Sequence, residues 1–281
     1  MKKVKILNVQ FDVCTKDDAL ARVFDLLTTR HRESGKQIVT PNPEMILEAQ
    51  HNKKFGDVLN YAWLSIPDGI GVLWAATFQR IAQRSNGILR FVKAFFSLSM
   101  LAINPAYCRK IFQERITGVD FMESVCSMSR KTAQRDTVPV FLLGAEPGIA
   151  EKVKNILEIR YPGVEIVGTS SASPSPDDSL AIEAQIAETR PEILFVAYGS
   201  PHQEMWIAEH LPNLKSVKIA MGVGGAFDFI AGKRSRAPRW MQRTGLEWLY
   251  RLFQEPHRMR RIANATVKFP LAVINSKNAA N

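Results

Sequence analysis

Reactive side chains are concentrated in loops that directly follow short apolar runs of this chain. Asp68 lies in Pro67-Asp68-Gly69-Ile70-Gly71, where a carboxylate can accept a proton from a substrate hydroxyl and the glycines let a substrate approach the backbone closely. Asn42 lies between two prolines, in a rigid loop from which its amide can hold a sugar hydroxyl. The glycines Gly222 and Gly224 lie in a loop that can cradle a phosphate at a helix N-terminus. These loops predict an enzyme.

Each of these residues also has a purely structural interpretation. An Asp at such a position commonly caps the following helix, and spacing alone slightly favours this interpretation for Asp68. Asn42 can bond its own backbone in a turn, which is the favoured interpretation when nothing else is known. The loop Gly222-Val223-Gly224-Gly225 matches neither a dinucleotide-binding pattern nor a Gly-Lys-Ser/Thr phosphate loop, so by itself it is weak evidence.

The motifs predict neither a metal site nor a nucleophilic triad. Ser200 precedes His202 but lacks the Gly-x-Ser-x-Gly elbow, and the other histidines are isolated in the sequence. Asp-x-Asp does not occur, so a nucleotide-sugar enzyme of this sequence would lack the usual acidic Mg²⁺ clamp. Arg, Lys or backbone N–H groups would then have to stabilise a leaving diphosphate. We therefore expect neither a metal nor a cofactor.

The apolar runs before these loops predict strands buried on both faces of a sheet. The runs cover residues 37–39, 62–66, 138–143, 193–198 and 217–221, with a further short strand at 163–168. Helical patterns follow most of them, including 17–29, 146–159 and 180–189, whereas the Ser- and Pro-rich stretch 170–179 predicts a surface loop. This order indicates an α/β fold with a Rossmann-like parallel sheet and flanking helices. Ligands of such sheets bind beyond the carboxyl ends of the strands, so the loops should surround one site.

Length and cysteine content fit an intracellular enzyme. The 281 residues suffice for one α/β domain and an extension. Cys14, Cys108 and Cys126 are scattered, which argues against a disulfide framework or a zinc site and favours a reducing cytoplasm. The N-terminus has basic residues without a long apolar stretch behind them, so it predicts a first strand and not a signal peptide.

Positive charge is concentrated in the C-terminal tail. The segment from Lys233 onward holds 11 Lys and Arg against 2 Asp and Glu, whereas the first 232 residues hold 26 against 25. We therefore expect a catalytic domain at 1–232 and a cationic helical appendage at 233–281. Such an appendage is expected to bind phosphate groups, either of nucleic acid, of anionic lipid or of a diphosphate substrate. Nucleic acid ranks last, because the aromatic residues here alternate with aliphatic ones on a helix.

An apolar insertion at about 73–110 interrupts the α/β pattern. Between Ile88 and Tyr107 the only charged residues are Arg90 and Lys93, and phenylalanines and aliphatic residues dominate. The segment is somewhat short for a helix that spans a bilayer, which needs about 20 mostly apolar residues. Two interpretations are equally favoured: a buried helix or helical hairpin, and an interfacial helix with its apolar face in lipid.

Taken together, the motifs resemble the WecG/TagA/CpsF glycosyltransferase family. The resemblance extends in order over nearly the whole chain, and as an ordered set the motifs are specific. They are Thr40-Pro41-Asn42-Pro43-Glu44, Pro67-Asp68-Gly69-Ile70-Gly71, Arg115-Ile116-Thr117-Gly118-Val119-Asp120, Phe141-Leu142-Leu143-Gly144, Gly199-Ser200-Pro201-His202-Gln203-Glu204-Met205-Trp206, Gly222-Val223-Gly224-Gly225-Ala226-Phe227-Asp228, Arg236-Ala237-Pro238, Gly245-Leu246-Glu247-Trp248 and Arg251-Leu252.

The resemblance implies an inverting, metal-independent glycosyltransferase. It would move N-acetylmannosamine or its uronate from UDP to a polyprenyl-diphosphate-linked sugar, as a peripheral protein on the cytoplasmic face of the membrane. Asp68 matches the family's proposed catalytic base. The substrate-binding residues that the resemblance or the motifs indicate are Thr40, Asn42, Arg115, Gln203, Gly222, Gly224, Arg236 and Arg239.

One departure and several alternatives remain at this stage. The segment between Asp68 and Arg115 is longer than expected for the family, and its excess is the apolar insertion, which leaves acceptor identity and membrane attachment open. The donor could instead be UDP-glucose or UDP-glucuronate in exopolysaccharide assembly. A non-catalytic lipid- or nucleic-acid-binding module is the rival class, and a homo-oligomer is compatible with either.

Overall fold

The computed structural model describes residues 1–29, 34–130, 136–238, 241, 247–255 and 259–276. Its centre is a six-stranded sheet in which every neighbouring pair is parallel. An antiparallel hairpin of β1 (Lys3–Ile6) and β2 (Val9–Asp12) precedes it. The sheet strands are β3 (Lys36–Val39), β4 (Leu64–Ser65), β5 (Val140–Gly144), β6 (Ile166–Ser170), β7 (Ile193–Ala197) and β8 (Ile219–Gly222). Their spatial order is β4-β3-β8-β7-β5-β6.

Helices connect the strands and cover both faces of the sheet. In the first half they are α1 (Lys16–Thr28), α2 (Pro43–His51), α3 (Lys53–Tyr61), α4 (Ile70–Ile81) and α5 (Gly87–Ile103), followed by a 3₁₀ helix at Pro105–Lys110 and α6 (Gly118–Ser129). In the second half they are α7 (Ile149–Arg160), α8 (Pro176–Thr189), α9 (His202–His210) and α10 (Ala226–Ile230). The appendage contributes α11 (Glu247–Gln254), α12 (Met259–Ala263), a π-helical turn at Asn264–Lys268 and α13 (Phe269–Asn275).

The core lies on both sides of the sheet because alternate strand residues point to opposite faces. Along β5, Val140 and Leu142 pack with α1, α6 and α7, whereas Phe141 and Leu143 pack with α8 and α9. A further cluster joins the hairpin to α2, α3, α4 and α13. The three cysteines are buried and form no disulfide.

The predicted fold class is confirmed, and one local prediction was wrong. The predicted first strand is β1, and the chain returns beside it as β2 to form a two-stranded hairpin. The stretch 170–179 is a loop only between β6 and α8, because Ser175 caps α8 and Pro176 begins it. The Ser175 hydroxyl accepts a hydrogen bond from the Asp178 backbone N–H, and Pro at the first helical position is favoured there.

The apolar insertion forms a helical pair, α4 and α5, with different environments. Seven consecutive residues of α4, from Val72 to Phe78, are buried. Helix α5 buries Ala94 and Ser97 but exposes Phe91, Phe95 and Phe96, so it is not buried throughout, and insertion of its outer face into lipid stays a prediction. None of the helices in the described ranges combines the length and the apolar content that crossing a bilayer requires.

Candidate active site

Five of the predicted site residues lie at or after the ends of four strands that are neighbours in the sheet. Thr40 and Asn42 follow β3, and Asp68 follows β4. Gln203 lies in the first turn of α9, after β7, and Gly222 ends β8. Adjacent strands lie about 4.8 Å apart, so four strands span only about 15 Å. The parallel arrangement places all these loops at the carboxyl edge of the sheet. The predicted clustering of the strand-end loops is therefore confirmed.

The loop that carries Asp68 is tied to the neighbouring loop. The backbone N–H of Asp68 donates to the carbonyl oxygen of Pro41 at 3.2 Å. Gly69 occupies the N-cap position of α4 with a φ of +96°, a conformation that side chains with a Cβ rarely adopt. Asp68 therefore precedes the cap position and is half-buried at the edge of the site.

Asn42 has the structural role that spacing alone favoured. Its Oδ1 accepts hydrogen bonds from the backbone N–H groups of Glu44 at 3.0 Å and Met45 at 3.1 Å, which caps α2. Because the cap uses Oδ1, the Nδ2 end of the amide can still donate to a ligand. Thr40 is half-buried beside Gly118, whose position would bring an added Cβ to 3.3 Å from the Thr40 hydroxyl oxygen. Thr40 and the N-terminus of α6 therefore share one wall of the site.

Gln203 joins two of the strand-end loops. Its Oε1 accepts the N–H of Gly224 at 2.9 Å and the N–H of Gly199 at 3.1 Å. A Cβ at Gly222 would lie 2.6 Å from Gln203 Nε2, so only glycine fits against this buried amide. In this structure the Gly224 N–H is thus donated to Gln203, and a phosphate cradle at Gly222 and Gly224 stays a prediction that requires Gln203 to move.

Glu204 lies behind Gln203 and was missed as a site residue. Its side chain is 1% exposed, and its Oε1 accepts a hydrogen bond from Gln203 Nε2 at 2.6 Å. Burial raises the pKa of this carboxyl above its ordinary value of 4.5, although the Gln203 hydrogen bond opposes the shift. The sequence signal was its place in the Gln203-Glu204 pair directly after a strand end. Glu204 therefore supports the amide that holds the glycine loops.

Arg115 and Arg236 are paired with carboxylates, and Arg236 lies at the N-terminus of α6. Arg115 Nη2 lies 2.7 Å from Glu247 Oε2, with both side chains mostly buried. The Arg236 guanidinium forms an ion pair with Asp120, in which Nη2 donates to Oδ2 at 3.4 Å. A substrate diphosphate would have to compete with these carboxylates for the two arginines. Arg239 lies outside the described residues.

Asp120 connects Arg236 to the N-terminus of α6. The Thr117 hydroxyl donates to Asp120 Oδ2 at 2.7 Å, and the Asp120 N–H donates back to Thr117 Oγ1 at 3.2 Å. Burial alone would raise the pKa of Asp120, but the hydrogen bonds from Arg236 and Thr117 outweigh it and lower the pKa. Asp120 was not predicted as a site residue, although Thr-x-x-Asp before an apolar run indicates a helix start.

The appendage is attached beside the loop that carries Asn42. The Arg261 guanidinium bonds both carboxylate oxygens of Glu44, with its Nε at 3.1 Å and 3.0 Å and its Nη2 at 2.7 Å from Oε2. This fork-to-fork geometry fixes the orientation of the pair. It brings the cationic α12 to the edge of the site. Arg243 and Arg258, predicted as part of the same cationic surface, lie outside the described residues.

A metal clamp is not visible in the part of the chain that the structure describes. Among those residues, no three His, Cys, Asp or Glu side chains are grouped closely enough to bind a metal ion. Metal independence stays a prediction from the sequence.

Comparison with known proteins gives this site its chemical context. The glycosyl transferase WecG/TagA/CpsF family model matches residues 4–100 and 99–281. An N-acetylglucosaminyldiphosphoundecaprenol N-acetyl-beta-D-mannosaminyltransferase of Bacillus subtilis (strain 168) is 31% identical over 86% of this chain and 80% of its own length. Proteins of the same name are 31% identical in Bacillus spizizenii, over 89% and 82% of the two chains, and 28% identical in Staphylococcus aureus (strain MRSA252), over 94% and 90%.

The family match extends over nearly the whole chain, and the motifs that follow β3, β4, β7 and β8 lie at the carboxyl edge of one sheet. The chain therefore belongs to the WecG/TagA/CpsF family of glycosyl transferases.

Proposed function

We propose that this enzyme transfers an N-acetylmannosamine-type sugar from UDP to a polyprenyl-diphosphate-linked N-acetylglucosamine. The observation that carries the proposal is the match of nearly the whole chain to a family whose similar members bear that activity in their names. The family motifs also supply the residues that such a transfer needs at one sheet edge. The product would serve the assembly of a cell-surface polysaccharide.

Asp68 is the base in the proposed mechanism. The acceptor hydroxyl loses its proton to the Asp68 carboxylate while its oxygen attacks the anomeric carbon of the donor sugar. The bond between that carbon and the diphosphate oxygen breaks, UDP leaves with the bonding electrons, and the configuration at the anomeric carbon inverts. The proton passes from Asp68 to solvent after the product departs.

Arginines stabilise the leaving diphosphate in this proposal. When the donor binds, Arg115 leaves Glu247 and Arg236 leaves Asp120, and both arginines bind phosphate oxygens instead. This exchange is feasible because a guanidinium group binds carboxylate and phosphate alike in a bidentate manner. Asn42 donates its Nδ2 to a sugar hydroxyl from the loop beside Asp68, and Thr40 lines the same wall. Gln203 holds the two glycine loops in place behind the nucleotide.

We further propose that the enzyme lies peripherally on the inner face of the cytoplasmic membrane. A polyprenyl-linked acceptor keeps its diphosphate at the membrane surface, and the exposed Arg260, Arg261 and Lys268 of the appendage suit an anionic leaflet. Each such cation contributes about 1 kcal/mol near that surface, and salt screens the attraction.

Release of UDP tests the proposed reaction. Purified enzyme is mixed with UDP-N-acetylmannosamine and a polyprenyl-diphosphate-linked N-acetylglucosamine, and UDP is measured with either substrate omitted as the control. We expect release that requires both substrates and that exceeds release from UDP-glucose, UDP-glucuronate and the uronate of the proposed donor. Faster UDP release from UDP-glucose or UDP-glucuronate would show that one of these is the donor instead. Absence of UDP release from all four donors would refute the reaction.

Replacement of Asp68 by Asn tests the role of the base. A positioned carboxylate contributes on the order of 10²–10⁴ in rate, so Asp68→Asn should lower turnover by a factor in this range and leave UDP-sugar affinity nearly unchanged. Asp57→Asn, at an exposed position of α3, is the matched control and should keep full turnover. Near-normal turnover of Asp68→Asn would show that Asp68 is not the base and would favour a structural role for this residue.

A further inference from the structure

Helix α5 presents an apolar outer face, whereas a surface helix of a soluble protein usually turns its polar face outward. Among its described side chains, those classed as exposed are all apolar: Ile88, Leu89, Phe91, Val92, Phe95, Phe96 and Ile103. Its buried residues Arg90, Ala94 and Ser97 follow helical spacing and form the inner face. The outer face is therefore built for an apolar environment.

The two cations of α5 do not reach the outer face. Arg90 is 8% exposed and donates through Nη2 to the carbonyl oxygen of Val273 at 3.0 Å and through Nε to that of Ile274. Lys93 Nζ donates to the carbonyl oxygen of Ile81 at 3.2 Å. These acceptors lie at the carboxyl ends of α13 and α4, where carbonyl groups lack helical partners and attract cations.

The exposed rings of α5 present an apolar area of the size that often marks an interaction surface. Phe91, Phe95 and Phe96 are 51%, 76% and 59% exposed. With about 200 Å² for a whole phenylalanine, these three rings alone expose roughly 370 Å². Contiguous apolar patches above a few hundred Å² usually mark an interaction surface.

We propose that α5 lies in the plane of an anionic membrane leaflet, with its phenylalanine face inserted at the boundary between headgroups and acyl chains. This inference rests on the proposed function, because a lipid-linked acceptor requires the enzyme to work at that surface. At 17 residues α5 is about 26 Å long, which suits a helix that lies on the membrane better than one that crosses it. Interfacial helices of this kind bind through buried apolar area and through nearby cations.

The surroundings of α5 favour a membrane over other partners. Through Arg90 the helix is joined to the carboxyl end of α13, and the chain segment just before α13 exposes Arg260 and Lys268. An uncharged apolar face joined through α13 to a cationic segment complements an anionic leaflet, which offers acyl chains to the one and phosphates to the other. The inner face also joins α5 to the site, because Trp74 Nε1 of α4 donates to Ser97 Oγ at 3.0 Å and α4 begins just after Asp68.

Vesicle binding of the full chain tests this inference without use of the transferase reaction. Three proteins are floated with mixed phosphatidylethanolamine–phosphatidylglycerol vesicles. They are the wild type, a control variant and the α5 variant, which carries the three substitutions Phe91→Ser, Phe95→Ser and Phe96→Ser together. The control replaces exposed apolar residues on other helices, Phe24→Ser, Ile159→Ser and Leu180→Ser. We expect the α5 variant to bind roughly tenfold more weakly or worse, and the control to bind as wild type does.

Two further measurements separate this outcome from misfolding and from self-association. The melting temperature of the α5 variant should stay within about 2 °C of wild type, because the replaced rings are not core. Turnover on a short-chain, water-soluble acceptor should be unchanged if the proposed reaction is correct, and its absence in wild type would refute the reaction and not the membrane role. Equal vesicle binding by wild type and the α5 variant would overturn the inference. So would a wild-type dimer that the α5 variant alone abolishes while vesicle binding persists, since a second copy would then cover this face.

Discussion

At the residue scale, the site depends on a buried polar pair, Gln203 and Glu204. The Gln203 amide holds the glycine loops after β7 and β8, and Glu204 holds the amide from behind. An unsatisfied buried amide would cost about 1–3 kcal/mol, so the position of Gln203 depends on this support. The pair thereby links the chemistry of the loops to the stability of the fold.

Replacement of Glu204 by Gln should change the pH dependence of stability. Burial raises the pKa of Glu204 in the folded protein above its ordinary value of 4.5, while the unfolded chain keeps that ordinary value. Between the two values the folded state retains a proton that the unfolded state has lost, so this group lowers stability as pH rises through the window. Glu204→Gln keeps an acceptor for Gln203 and cannot ionise, so its free energy of unfolding should fall less as pH rises above 4.5.

Urea unfolding over a series of pH values measures this effect. The control is Glu209→Gln, since Glu209 is exposed on the same helix and should leave the wild-type pH profile unchanged. If the Glu204→Gln profile follows that of wild type throughout the window, Glu204 does not carry the proposed buried proton.

At the element scale, the C-terminal appendage is partly surface and partly core. Phe269 and Val273 of α13 are fully buried in the cluster that includes α4 and the N-terminal hairpin, whereas Leu271 on the same helix is 47% exposed. A division at 232/233 therefore stays a proposal about charge and function, while α13 packs as part of the catalytic domain. Point variants are accordingly better probes of the appendage than its removal.

Two substitutions in α13 should differ strongly in their effect on stability. Phe269→Ala removes a fully buried ring and should lower the free energy of unfolding by about 3–5 kcal/mol. Leu271→Ala acts at a half-exposed position and should change it by about 0.5 kcal/mol or less. Urea unfolding at neutral pH compares them, and similar losses from both would contradict the assignment of α13 to the core.

At the scale of the whole molecule, ion pairs draw the cationic tail to the neutral catalytic domain. Three arginines of the tail form ion pairs with carboxylates of the catalytic domain: Arg236 with Asp120, Arg261 with Glu44, and Arg234 with Asp228 at 3.2 Å. A fourth pair has the opposite polarity, since Glu247 of the tail binds Arg115. Several of these pairs border the strand-end loops. These ion pairs therefore hold the tail against residues of the proposed site.

Transfer should not require a divalent metal, because the sequence lacks Asp-x-Asp and the proposed mechanism assigns the leaving diphosphate to Arg115 and Arg236. Excess EDTA should therefore leave turnover within about twofold of the untreated value in the UDP-release assay, a change of less than 1 kcal/mol in the barrier. A parallel reaction with added Mg²⁺ or Mn²⁺ is the control. Loss of turnover in EDTA with recovery on addition of either metal would disprove metal independence.

Sequence alone determined the α/β class, the strand-end loops and the family. Apolar runs that end at Gly, Pro, Asn and Asp report burial and chain reversal locally, so strands such as Ile193–Ala197 were predictable within a few residues. The motifs that contain Asp68 and Asn42 were also recognisable in the sequence, because each motif is contiguous. The start of α8 at the cap residue Ser175 was open to the same reasoning, although the Ser- and Pro-rich composition predicted a loop there.

Tertiary structure decided which partners these residues have. The Arg236–Asp120 and Arg115–Glu247 pairs join residues more than a hundred positions apart, and local pattern carries no information about such contacts. The two interpretations of the apolar insertion also could not be separated in the sequence, because its composition is the same whether the phenylalanines face the core or the outside. The packing decided only which face is outside: Arg90 and Lys93 bond carbonyl groups at the ends of α13 and α4, and the phenylalanines of α5 are exposed. That this outer face lies in lipid stays a proposal.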